Sequence, residues 1–134
     1  MNLENLMTAM NLGNILKSPV RVHGGLLHKM YHVTTSDGEF AVKALNPEIM
    51  KRPYALTNMI NSEKIARAFA GVIPLVCAIE TGGKQVQHIE GEYYFVFPWL
   101  EGASVFGKDI TTRHCETIGR ILGKMHHERT AFRK

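Results

Sequence analysis

The chain is short of several things that would assign it at once. Its 134 residues hold two cysteines, Cys77 and Cys115. That is too few for a disulfide framework and argues for a reducing, cytoplasmic setting. No apolar run reaches the length of a membrane span. The opening MNLENLMTAMNLGNIL carries Glu4 and no basic cluster ahead of its apolar positions, which is not the pattern of a secretory leader. There is one tryptophan, and there is no internal repeat or low-complexity tract. A G-x-x-x-x-G-K-[ST] phosphate loop, a zinc-finger spacing and an RNP-type aromatic motif are all missing.

What is present is an ordinary globular composition, 45% hydrophobic and 21% charged, with a formal net charge of +4. The length suffices for one domain with a core. The positive balance permits anionic partners, but its Lys and Arg residues are scattered apart from a mild cluster at RTAFRK, 129–134. A solvated surface accounts for most of that charge, and a nucleic-acid-binding domain is the weakest of the readings considered.

Patterning gives an α+β order. Leu3, Leu6, Met7 and Met10 fall at helical spacing over residues 3–12. Val20 and Val22 flank Arg21 in strand-like alternation, HGG (23–25) turns, and LLHKMYHVTT (26–35) reads as a strand. SDG then makes a tight turn into EFAVKAL (39–45). Residues 54–71 form a helix closing on Gly71. PLVCAIE (74–80), QVQHI (85–89) and YYFVFPWL (93–100) read as further strands, and Thr111 or Thr112 caps a last helix striped by Cys115, Ile118, Leu122 and Met125. Short turns between neighbouring strands predict an antiparallel sheet of about five strands with one helix laid on it.

One residue disturbs this pattern. Lys43 stands in the middle of the apolar stretch GEFAVKALN (38–46). A lysine is seldom fully buried without a partner. On the following helix, Leu56, Met59, Ile60, Glu63, Ala66 and Ala70 share a stripe with Glu63 near its middle, while Ile65 and Phe69 fall opposite. Two readings stand side by side: each side chain snorkels to water separately, or Lys43 and Glu63 pair.

FAVK followed by a helix with SEK resembles the strand lysine and helix glutamate of the protein-kinase fold. YYFVFPWLEG, an apolar strand passing into a loop, resembles the kinase hinge. WLEG (99–102) and LGKMH (122–126) are similar to runs of the aminoglycoside phosphotransferase family, which includes choline-kinase-like enzymes. HGGLLHKMYHV fits the family's glycine-poor nucleotide loop. The resemblance implies a kinase-like N-terminal lobe over residues 1–100, with 101–134 as the hinge, linker and first helix of a second lobe.

It also implies roles. Lys43 would bridge the α- and β-phosphates of ATP, with Glu63 holding it in place. The backbone of His23, Gly24 and Gly25 would cover the phosphates, and Val22, Val33 and Ala41 would roof the adenine. Phe97 would stand at the gatekeeper position, and the Pro98 carbonyl and Leu100 N–H would meet the adenine edge. Taken alone, paired glycines make turns, and Val, Ala and Phe fill cores. Tyr93, Tyr94 and Trp99 could stack bases, but a β-rich core accounts for them. No metal ligand is expected within the chain: the histidines are dispersed or, as with Cys115 and His126, too far apart to share an ion.

The acids after the hinge are Glu101, Asp109, Glu116 and Glu128, and none is followed five residues on by the Asn of an H-x-D-x-x-x-x-N run. The resemblance therefore implies that this chain lacks the catalytic aspartate and the magnesium-binding aspartate of the intact enzyme. It is expected to be a fragment or shortened relative, inactive on its own and open to self-association through its last helix. The intact enzyme would transfer the γ-phosphate of ATP to a hydroxyl of a small-molecule acceptor. A non-catalytic protein-interaction module that keeps a kinase-lobe fold is the alternative.

Overall fold

The computed structural model describes residues 1–128. The basic cluster at 129–134 lies outside them, as does the end of the expected second segment. In chain order the elements are α1 (Leu3–Ala9), β1 (Val20–Val22), β2 (Lys29–Thr35), β3 (Gly38–Ala44), α2 (Pro47–Met50) and α3 (Ala55–Phe69). There follow β4 (Gln87–Ile89), β5 (Glu92–Pro98), a 3-10 turn (Gly107–Asp109) and α4 (Thr112–His127). All strand pairs are antiparallel, in the order β1-β2-β3-β5-β4. This is the α+β class that the patterning predicts.

Cross-strand partners share a face of a sheet, so register sorts the side chains. One row runs Arg21, Tyr31, Val42, Val96, and Val33 with Phe40 belongs to the same face. α1 covers it. The Asn2 side chain accepts from the Asn5 N–H and so caps α1, while Glu4 complements the positive end of the helix dipole. Leu3, Leu6, Met7 and Met10 enter the core beside Val33, Val42, Tyr94 and Val96, as their spacing predicts. The Tyr94 hydroxyl, held in this core, donates to Glu92 Oε2 at 2.6 Å. Thr35 is buried but satisfied: its hydroxyl donates to the Leu12 carbonyl at 2.6 Å and accepts from the Asp37 N–H at 3.1 Å, which ties the β2–β3 turn to the chain leaving α1.

The opposite face carries α3. Leu56, Met59, Ile60, Glu63 and Ala66 turn half inward, as the stripe predicts, but Ala70 of that stripe is exposed and the fully buried residue of α3 is Phe69, from the other side of the stripe. It lies at the last turn, where Val72 and Ile73 fold back and donate backbone bonds to its carbonyl.

Residues 74–80 correct the sequence reading. They are extended but form no strand. Only Ile79 N–H reaches the sheet, donating to the Val96 carbonyl at 2.7 Å, and Ala78 is held by side chains of α3 instead. Beyond β5 the chain runs out through exposed Leu100, Val105, Phe106 and Ile110 to α4. Thr111 caps α4 in a reciprocal arrangement: its side chain accepts from the His114 N–H, and the His114 ring accepts from the Thr111 N–H at 2.8 Å. α4 buries none of its residues.

Candidate functional site

The face under α3 gathers the residues of interest. Val22, Met30, Lys43 and Phe95 form one cross-strand row, and Val20, His32, Ala41 and Phe97 form the next. Val22, Ala41, Lys43 and Phe97 are therefore neighbours on a single surface. Lys43 is half-buried, and its ammonium lies 5.8 Å from the Phe97 ring centroid, within cation–π range.

Lys43 and Glu63 do not form an ion pair. Among the described residues, salt bridges join His32 to Glu39, Lys51 to Glu48, Arg67 to Glu80 and the N-terminal amine to Glu92. Glu63 does lie on the Lys43 side of the sheet, because Ala78, its partner, packs with Phe95, the cross-strand neighbour of Lys43. Its Oε2 accepts from the Ala78 N–H at 3.2 Å. The reason is local: an extended segment without a ladder leaves its amides unpaired, and a carboxylate facing such an amide takes it. Arg67 completes the clamp by donating to the Ala78 carbonyl at 2.9 Å.

The loop after β1 is exposed at His23, Gly24 and Gly25. Gly24 adopts φ +118°, which a side chain would resist, and nothing stands within 4 Å of where a Cβ would point. His28, at the far end of the loop, accepts from the Asn46 N–H through Nδ1 at 2.9 Å, so the neutral ring carries its proton on Nε2. Its pKa is lowered, by burial first and by the Lys43 charge second. Register sets the loop and Lys43 side by side, since Val22 and Met30, which flank the loop, share the Lys43 row.

At the hinge, Trp99 N–H donates to the Glu39 carbonyl at 3.2 Å, and the Val96 carbonyl accepts from Ile79 on the other edge of β5. Strand alternation then turns the Pro98 carbonyl to the same outer edge as that of Val96, away from β3. β4 pairs only with Tyr94, Tyr93 and Glu92 and does not extend that far. No described residue hydrogen-bonds the Leu100 N–H.

One assignment of the sequence analysis changes. Val33 does not share this surface; it is fully buried on the α1 face opposite Phe40. In its place stand Met30 and His32. The parity of the β2–β3 hairpin is the signal that finds them: with Thr35 opposite Gly38, the residues facing Lys43 and Ala41 are Met30 and His32. Among the described residues, no helix is long and apolar enough to cross a membrane.

An antiparallel five-stranded sheet with helices, a cation on its open face and an unpaired strand edge leading to a linker has the form of a kinase-like N-terminal lobe. A model of the phosphotransferase enzyme family matches residues 19–134, and the chain belongs to that family. None of the curated proteins matches the sequence.

Proposed function

We propose that the chain is the ATP-binding part of a small-molecule kinase. The base edge meets the Pro98 carbonyl and Leu100 N–H, and the phosphates lie toward Lys43 and the backbone of His23, Gly24 and Gly25. The observation that carries this reading is the state of Lys43. It is half-buried in the row of Val22 and Met30 beside the β1–β2 loop and has no acidic partner among the described residues. A polyphosphate supplies the charge that such a cation lacks. The groups present fit the nucleotide: a cation, an open glycine turn, and a carbonyl and an amide at one strand edge.

When bound, ATP supplies the transferable γ-phosphoryl group; in the intact protein it would pass to a hydroxyl of a small-molecule acceptor. This chain's residues hold the nucleotide and orient it, with Lys43 drawing charge toward the α- and β-phosphates. The sequence holds no H-x-D-x-x-x-x-N run, so this reading gives the chain's own residues the task of nucleotide binding and not that of the general base. Residues 1–100 would form the nucleotide lobe and 101–134 the start of the second, in a cytoplasmic protein.

The test is thermal. Magnesium-ATP or ADP at saturating concentration raises Tm, by mass action on the folded state, and Lys43→Ala removes the shift. An equal shift in the variant would refute the assignment of Lys43.

A second reading, association with another copy of the chain, is favoured by one observation. α4 buries no residue, and Ile118 and Leu122 stand exposed on its apolar stripe.

A further inference from the structure

The single tryptophan of the chain lies across the hinge. Trp99 falls between Pro98 and Leu100, and its paired N–H keeps it in the alternation of β5, on the same face as Phe97. Its indole stacks on the His32 imidazole, with ring centroids 3.7 Å apart and planes 4° from parallel. His32 stands opposite Ala41, which stands opposite Phe97. Its Nε2 is 2.9 Å from Glu39 Oε1, and this contact sets the plane of the ring. Two rings at van der Waals separation leave no space for a third between them.

We propose that His32 is the stacking surface for the base of a bound nucleotide, and that the Trp99 indole is its intramolecular stand-in, displaced when the base enters. The inference rests on the ATP-binding reading above. Ala41 offers a base only a methyl group, so the flat partner in that row is His32. The indole is carried by the residue between the two hinge groups and reaches to His32. A base held by those two groups and resting on the same row needs the same imidazole face. The ligand class selected is a planar heteroaromatic ring with an acceptor and a donor on one edge, as in a purine. One hollow of about 590 Å³ lies elsewhere, lined by Leu56, Ile60, Val86 and Tyr93. The imidazole face beside the hinge is covered by the indole.

The experiment uses the full 134-residue chain and ATP. Affinity is measured by equilibrium dialysis for wild type, Trp99→Ala, His32→Ala and His32→Phe, and Trp99 emission is followed during titration of the wild type. Removing the indole frees the face, so Trp99→Ala binds ATP about tenfold more tightly. His32→Ala binds roughly tenfold more weakly, and His32→Phe, which keeps a flat ring and the packing, restores binding. Emission changes as ATP displaces the indole. Wild-type binding with unchanged emission, or binding that Trp99→Ala leaves equal or weaker, overturns the proposal alone. If neither wild type nor Trp99→Ala binds ATP at millimolar concentration, the nucleotide reading fails and the proposal falls with it.

Discussion

The carboxylate of Glu63 accepts a hydrogen bond from the backbone N–H of Ala78 at 3.2 Å. This bond places the helix glutamate in the service of the 74–80 segment and leaves Lys43 to the open face. A double-mutant cycle checks it. Glu63→Ala strands the Ala78 amide and costs about 1–3 kcal/mol in denaturant unfolding. Lys43→Ala leaves that cost unchanged, with a coupling below about 0.5 kcal/mol. A coupling well above that value would show that the two side chains pair in solution.

His28 makes stability depend on pH. Its pKa is lowered from an ordinary value of 6.5, by burial and then by Lys43. The folded state therefore prefers the neutral ring. This contribution is fully present above pH 6.5 and declines as pH falls from there toward the depressed folded value. Protonation also turns Nδ1 into a donor, which opposes the Asn46 N–H. Tm is expected to fall between pH 7.5 and about 5.5, and His28→Gln is expected to flatten that slope. An unchanged slope in the variant would assign the effect to other groups.

α1 acts as the cover of one sheet face, so its apolar residues should carry stability rather than binding. Leu6 is fully buried against the core of Val33, Val42 and Val96. Leu6→Ala is expected to cost about 2–5 kcal/mol in chemical denaturation. Any ATP-induced rise in Tm should survive in this variant, since the helix lies on the face away from Lys43.

Exposed Ile118 and Leu122 predict that copies of the chain associate through α4. Sedimentation at rising protein concentration should show a dimer, and Leu122→Glu should return the monomer. A wild type that sediments as a monomer at the highest concentrations would exclude this use of the helix.

Much of the fold can be read from the sequence because its signals are local. Leu3, Leu6, Met7 and Met10 fix α1 by spacing, and SDG between two apolar runs fixes the β2–β3 hairpin. PLVCAIE misleads because its composition suits a strand, whereas a strand also needs a neighbour along its length; β4 and β5 pair with each other and leave it a single bond at Ile79. The partner of Glu63 is hidden for the same reason, since a backbone amide becomes a competitor for a carboxylate only when no ladder claims it. Val33 and His32 differ by one position. The family resemblance implies Val33 as one of the residues above a base, but pleat parity puts His32 on the face of Ala41 and Phe97 and sends Val33 into the α1 core.

The outermost strands of the sheet, β1 and β4, are each three residues long. Beyond β4 the outer edge of β5 is met by Ile79 at Val96 and leaves only a short stretch at Pro98 and Leu100, so the rim offers an incoming chain few free amides and carbonyls and is a poor seed for fibril growth. Clustering at high concentration should accordingly proceed through helical surfaces and stop at small closed species, leaving solutions clear and free of thioflavin-positive aggregates.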